Sequence, residues 1–127
     1  MIDHITFGIS DFARSTAFYD AAFAPLGVTR LFDAPAEDTG GVKAIGYGDS
    51  RPWFWIAEDD VTRGKLHIAL QAKDRASVDA FHRAALAAGG RDHGAPGLRP
   101  HYHANYYGAF VLDPDGNNIE AVCHAAG

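Results

Sequence analysis

The chain contains an internal repeat, and this repeat constrains its fold more than any other feature. The segment that starts at Asp3 aligns without gaps with the segment that starts at Leu66, at an offset of 63 positions. The identical positions at this offset include seven that, in the first copy, are His4, Ile5, Asp11, Ala13, Ala17, Phe18 and Gly27. Because the offset is half of the 127-residue chain, we expect one domain made of two similar modules, residues 1–63 and 64–127.

Each copy has the pattern of a strand, a helix and three further short strands. Residues 4–9 and 67–72 alternate between two faces, and Asp11 and Asp74 stand where helix N-caps are expected. The further strands are expected at 28–33, 42–48 and 53–58 in the first module and at 91–94, 106–112 and 117–123 in the second. The predicted fold class is therefore α+β, with two repeated βαβββ modules forming a curved mixed sheet around a cleft.

Two histidines and one glutamate are the candidate metal ligands. His4 and His67 are equivalent in the repeat, and each lies on the strand face opposite the apolar residues that pack against a helix. In the last strand, Glu120 alternates with the apolar Ile119, so it is expected to point into the same cleft. A buried carboxylate needs a partner, and two imidazoles with one carboxylate suit a divalent ion such as Fe, Mn, Zn, Ni or Co.

Other residues are candidates for lining the cleft. The segment 99–107 is rich in groups that hydrogen-bond or transfer protons, and we consider His103 and Tyr106 as catalytic acid–base residues. The candidate substrate-binding residues are Thr6, Trp53, Trp55, Arg99, Tyr102 and Phe110. The alternatives are a polar loop or a dimer contact for the 99–107 segment, and packing between the modules for the two tryptophans.

Composition excludes several classes of function. The net charge is −5, which argues against binding nucleic acid through a broad basic surface. No apolar run approaches the roughly 20 residues of a membrane span, and the first residues lack the features of a signal peptide, so we expect a cytoplasmic protein. The single cysteine, Cys123, has no internal disulfide partner and is expected in the core.

Four segments of the chain resemble a known family. They are His-Ile-Thr at 4–6, Ser-Thr-Ala-Phe-Tyr at 15–19, Leu-His-Ile-Ala at 66–69, and Phe-Val-Leu-Asp-Pro-Asp-Gly-Asn-Asn-Ile-Glu at 110–120. Together they are similar to the vicinal oxygen chelate superfamily, which includes glyoxalase I, bleomycin-resistance proteins, fosfomycin-resistance transferases and extradiol dioxygenases. The resemblance covers the whole chain, and it implies paired βαβββ modules with a metal held by His4, His67 and Glu120.

The resemblance implies a metal-dependent lyase or dioxygenase that chelates a small oxygenated substrate and works as a homodimer. Its site is expected either within one chain or across two exchanged modules. Glyoxalase I has a fourth ligand, a glutamate in the last strand of the first module, whereas the corresponding position here is Ala57 or Trp55. A three-ligand site is therefore expected. The alternative function is that of the bleomycin-resistance type, a protein that sequesters a drug or aromatic ligand without turnover.

Overall fold

The first module folds as a strand, a helix and three further strands. A computed structural model describes residues 1–127 of the chain. The elements of this module are β1 (Ile5–Gly8), α1 (Phe12–Phe23), β2 (Thr29–Ala34), β3 (Ala44–Gly48) and β4 (Pro52–Ala57). The strands form one mixed sheet in the order β1-β4-β3-β2, in which β1 and β4 are parallel and the other pairs are antiparallel.

The second module repeats this architecture. Its elements are β5 (His67–Gln71), α2 (Arg75–Ala87), β6 (Arg91–Leu98), β7 (Tyr107–Leu112) and β8 (Asn118–Cys123). The sheet has the order β5-β8-β7-β6, again with one parallel pair, β5 with β8. The predicted α+β fold with two βαβββ modules is confirmed, and each module contributes its own four-stranded sheet.

The helices begin where the sequence predicted. The Asp11 carboxylate accepts a hydrogen bond from the Arg14 N–H at 3.0 Å, and the Asp74 carboxylate accepts one from the Ser77 N–H at 2.8 Å. Each carboxylate satisfies a backbone donor that the first helical turn leaves free. Neither helix has the length and apolar character that a membrane span requires.

Strand β6 is longer than expected, because it continues through Gly94 and Pro96 to Leu98. The prediction stopped it at Gly94 since glycine and proline usually end a strand. In the structure β6 is an edge strand, where a proline without an N–H is tolerated, and its register with β7 shifts twice between Asp92 and Gly97. The extra length brings Arg99 close to the sheet.

One buried core joins the two modules. A cluster of 21 buried apolar residues draws from both, and α1 packs against α2 within it. Each helix covers one face of its own sheet, as shown by buried Phe54 and Ile56 in β4 and by buried Ile119 and Ala121 in β8. The opposite faces of the sheets, which carry the candidate site residues, are therefore left for other contacts.

A buried carboxylate in the turn between β7 and β8 connects this core to α1. The Asp113 carboxylate is 1% exposed and accepts hydrogen bonds from the Tyr19 hydroxyl at 2.5 Å and the Asn117 amide at 2.9 Å. It also accepts from the backbone N–H groups of Asp115 and Asn117. The Asp-Pro-Asp-Gly segment thus forms the predicted hairpin turn and, through Tyr19, fixes it to the first module.

We predict that Tyr19→Phe destabilises the protein by about 1–3 kcal/mol, because the buried Asp113 carboxylate loses a donor that water cannot replace. Urea unfolding of the variant and the wild type would measure the difference. Tyr47→Phe is the matched control, since the Tyr47 hydroxyl donates to Asp20, whose side chain is partly exposed. Equal losses in the two variants would contradict a special role for Tyr19.

Candidate functional site

His67 and Glu120 form a contact on the cleft face of the second module. Their strands are parallel neighbours, with His67 paired to Asn118 and Ala69 paired to Glu120. His67 Nε2 lies 2.8 Å from Glu120 Oε1. The Glu120 side chain is 1% exposed, whereas that of His67 is 49% exposed. The pair therefore joins a buried anion to an imidazole that reaches solvent.

Tyr106 holds the other oxygen of the same carboxylate. Its hydroxyl donates a hydrogen bond to Glu120 Oε2 from the residue just before β7. Burial and this hydrogen bond raise the pKa of the Tyr106 hydroxyl well above its usual range, so it remains a donor at neutral pH. The buried carboxylate thus has two hydrogen-bond partners, an imidazole and a phenol.

The loop between β6 and β7 forms one wall of this cleft. His101, Tyr102, His103 and Tyr106 line it together with His67 and Glu120. His103 Nε2 is bonded to His124 Nδ1 at 2.7 Å, with the two rings 25° from parallel. His103 is therefore paired with the residue that follows β8. This pair could not be predicted, because no periodic pattern relates a loop to the residue that follows a separate strand.

Arg99 and Phe110 line an adjoining part of the cleft with His67 and Asn118. The Arg99 guanidinium carbon lies 5.4 Å from the centre of the Phe110 ring, and the His67 ring lies 6.0 Å from it. Phe110 therefore lies on the cleft face of β7, beside His67. Phe110 provides an apolar floor between the guanidinium and the imidazole.

The first module has a cleft of its own. It has a volume of about 630 Å³ and is lined by His4, Thr6, Phe32, Ala34, Asp38, Thr39, Val42, Ala44, Pro52, Trp55, Ala57 and Asp59. The Trp55 and Phe32 rings lie 5.8 Å apart. His4 Nδ1 bonds to the Asp3 carboxylate at 2.7 Å. This cleft has a histidine at one end and an aromatic wall along its side.

The expectation that Trp53 shares the cleft face with Trp55 is wrong. Trp53 donates its indole N–H to the Asp49 carboxylate and lines a groove between the modules beside Leu26 and Leu70. The cause is a bulge: Tyr47 pairs with Phe54 but Gly48 pairs with Pro52, so Trp53 has no partner. One extra residue reverses the side-chain alternation from that point.

Strand register shows which residue of the first module corresponds to Glu120. Glu120 pairs with Ala69, and the repeat relates Ala69 to Thr6, which pairs with Trp55. Trp55 is thus the structural counterpart of Glu120, and Ala57 is not. The position holds an indole that packs over Gly46, where a Cβ atom would lie 2.8 Å from the ring.

The three predicted ligands do not meet within one chain. His4 lines the cleft of the first module, and His67 with Glu120 lines that of the second. Within one chain, no group of three or more His, Cys, Asp or Glu side chains is arranged so that it could hold a metal ion. The two histidines therefore lie in separate clefts, while α1 and α2 pack against each other in the shared core.

The sequence as a whole matches a known family. A sequence profile described as Glyoxalase/Bleomycin resistance protein/Dioxygenase superfamily matches residues 1–121. The chain therefore belongs to this superfamily, in agreement with its two-module fold. Among curated protein sequences, none matches this chain.

Solved structures show the same fold. A glyoxalase/bleomycin resistance protein from Albidiferax ferrireducens T118 is 28% identical, with a TM-score of 0.77 over 95% of this chain and 97% of that chain. Glyoxalase I from Zea mays is 20% identical, with a TM-score of 0.71 over 99% of this chain and 45% of that one.

A variant of the fosfomycin resistance protein FosX from Listeria monocytogenes, solved with Mn(II) and 1S,2S-dihydroxypropylphosphonic acid, is also similar. It is 20% identical, with a TM-score of 0.68 over 96% of this chain and 88% of that chain. At this identity the likeness, as for the Zea mays enzyme, concerns the fold.

We predict that Tyr106 does not ionise in the range where a free phenol does. The absorbance change that accompanies tyrosinate formation between about pH 9 and about pH 11 should be the same for wild type and Tyr106→Phe, because burial and the Glu120 carboxylate oppose a second negative charge. A spectrophotometric titration measures it. A decrease in the variant equivalent to one tyrosine would show that the Tyr106–Glu120 bond is absent.

Proposed function

We propose that this protein binds one divalent metal ion and uses it to act on a small oxygenated substrate, as a lyase or dioxygenase of its superfamily. His67 and Glu120 of one chain and His4 of the partner subunit would hold the metal. The observation that carries the proposal is the contact of 2.8 Å between His67 Nε2 and Glu120 Oε1 in a cleft. A carboxylate that is 1% exposed there is a strong ligand for a cation.

The donor set fits a divalent transition metal. Neutral imidazole and carboxylate are ligands that Fe, Mn, Zn, Ni and Co all accept, and three protein ligands leave positions free for a substrate. The Tyr106 hydroxyl fixes the second carboxylate oxygen, so that Glu120 keeps one orientation. The Mn(II) bound by the FosX variant is consistent with this choice of metals.

A homodimer would supply the third ligand. Each chain presents two incomplete clefts, one with His4 and one with His67 and Glu120. If the first module of one chain faces the second module of the other, the two clefts combine and a dimer has two equivalent sites. The isologous contact of a two-fold dimer allows this exchange.

The residues around such a site would have different roles in binding the metal and the substrate. A bound divalent ion supplies Lewis acidity, which stabilises negative charge on a substrate oxygen. Trp55 and Phe32 of the first module offer an apolar wall that excludes water from the carbon skeleton of the substrate. Tyr106 keeps its proton while hydrogen-bonded to Glu120, so its role is to orient the carboxylate.

The aromatic cleft also supports a second candidate function, the sequestering of a drug or aromatic ligand without turnover. A volume of about 630 Å³ with Trp55 and Phe32 in the lining suits a drug-sized molecule. Quenching of tryptophan fluorescence by aromatic compounds, with no chemical change in the compound, would favour this function. Product formation that depends on added metal would favour the enzyme.

Glu120→Gln should lower the affinity for Mn(II) or Zn(II) by about tenfold or more, because it removes the charged ligand while keeping its shape. Isothermal titration calorimetry of the chelator-treated protein measures this affinity. Glu58→Gln is the control, since Glu58 is exposed beyond the end of β4 and lines neither cleft. Wild-type affinity in Glu120→Gln, or the absence of metal uptake by wild type, would overturn the metal site.

Mixing two defective variants tests whether the site spans two chains. A heterodimer of His4→Ala with Glu120→Gln has one site with all three wild-type ligands if each site combines two chains, and no such site if each lies within one chain. Co-expression with two different affinity tags isolates the heterodimer. We expect one binding event of wild-type affinity per heterodimer; two weakened events, or a purely monomeric protein, would contradict the composite site.

A further inference from the structure

The guanidinium of Arg99 is fixed in place at the edge of the second-module cleft. Its Nη1 donates to the Gly97 carbonyl and its Nη2 to the Ala95 carbonyl, both at 2.8 Å. The group also lies over the Phe110 ring, with 5.4 Å from the guanidinium carbon to the ring centre. Hydrogen bonds and stacking together hold a side chain that would otherwise sample many rotamers.

Two glycines of β6 make room for this arrangement. A Cβ atom on Gly94 would lie 3.2 Å from Arg99 Nη2 and 2.9 Å from the Phe110 ring, and one on Gly97 would lie 3.2 Å from Arg99 Nη1. Any side chain at either position would press on the guanidinium. The absence of side chains at Gly94 and Gly97 therefore leaves a space that the Arg99 guanidinium fills.

No carboxylate neutralises Arg99. The ion pairs of the chain involve His4, Arg30, Arg51, His67 and His82, and none involves Arg99. Both of its recorded partners are uncharged carbonyls, and they use only part of its set of N–H donors. In a chain with a net charge of −5, a part-buried cation without an anionic partner is unusual.

An unsatisfied amide lines the same cavity. Asn118 Oδ1 is buried and has no hydrogen-bond partner. Asn118 and Arg99 line one cavity of about 460 Å³ together with His67. A buried polar atom without a partner is costly. A ligand that donates to this oxygen, or that accepts from the amide N–H groups after the amide rotates, would remove that cost.

We propose that Arg99 anchors an oxyanion subsite beside the His67–Glu120 pair, so that the substrate of this protein carries a carboxylate or phosphonate group. The planar guanidinium recognises such groups with two parallel hydrogen bonds. The inference rests on the proposed function for calling the ligand a substrate. Anion binding itself requires no metal and can be measured alone.

The test is an NMR titration of the full chain, treated with chelator, with acetate in one arm and methylphosphonate in the other, at constant ionic strength. We expect saturable shifts of the Gly94, Gly97 and Asn118 amide signals with at least one of the two anions. The arm with the higher affinity identifies the preferred oxyanion. Arg99→Gln should lower that affinity by about tenfold or more, since it removes a charge-assisted bidentate contact.

Gly97→Ala provides a second variant that keeps the charge. Its backbone is not in the left-handed region, so the substitution leaves the strand free to fold, while the new Cβ displaces the guanidinium. We expect several-fold weaker anion binding. Arg83→Gln, which removes an exposed arginine from α2, is the control and should bind as wild type does.

The outcomes separate this proposal from the proposed function. Equal anion affinity in wild type and Arg99→Gln, equal losses in Arg99→Gln and Arg83→Gln, or shifts that do not saturate would each overturn the subsite. Metal affinity of Arg99→Gln is measured in parallel and should remain that of wild type. Anion binding without metal uptake would leave the subsite standing and defeat the metal site.

Discussion

The packing of α1 against α2 is the contact on which the rest of the structure depends. Each sheet has one apolar face, and the two helices fill the space against both of those faces within one buried cluster. Burying a large apolar side chain is worth roughly 1.5–3 kcal/mol, so residues such as Phe18, Phe54 and Phe81 fix this arrangement. Because the helices occupy one face of each sheet, the opposite face is the one that carries a cleft. The packing of the core therefore leaves each chain with two separate clefts.

Much of this fold could be predicted from the repeat and from strand parity. Two copies of the same alternation predict the same architecture twice. The repeat therefore predicted the order of the elements, the N-caps at Asp11 and Asp74, and the side of the sheet on which His67 and Glu120 lie. The core position of Cys123 followed from the same alternation. These features are local, since each depends on the spacing of neighbouring residues along the chain.

The features that could not be predicted depend on contacts between distant segments. The bulge at Trp53 changes the face of one indole, and nothing in the local pattern marks it. The bonds from Tyr106 to Glu120 and from His103 to His124 bring a loop to a strand and to the end of the chain. Strand parity shows on which face of its sheet a candidate ligand residue lies, but it does not show whether two such faces meet. The separation of His4 from His67 therefore could not be predicted from the sequence.

The two clefts have diverged in chemistry even though the repeat made them equivalent in geometry. Register places Trp55 where the second module has Glu120, so one cleft has an indole at the position where the other has a buried carboxylate. The first module therefore offers apolar surface and one imidazole, and the second offers an anion, an imidazole and the fixed guanidinium of Arg99. The second module has two of the three candidate metal ligands, and the first has the third beside the apolar wall of Trp55 and Phe32. This complementarity is a physical reason for two chains to combine their halves, since a site that joined them would hold a polar group and a carbon skeleton at once.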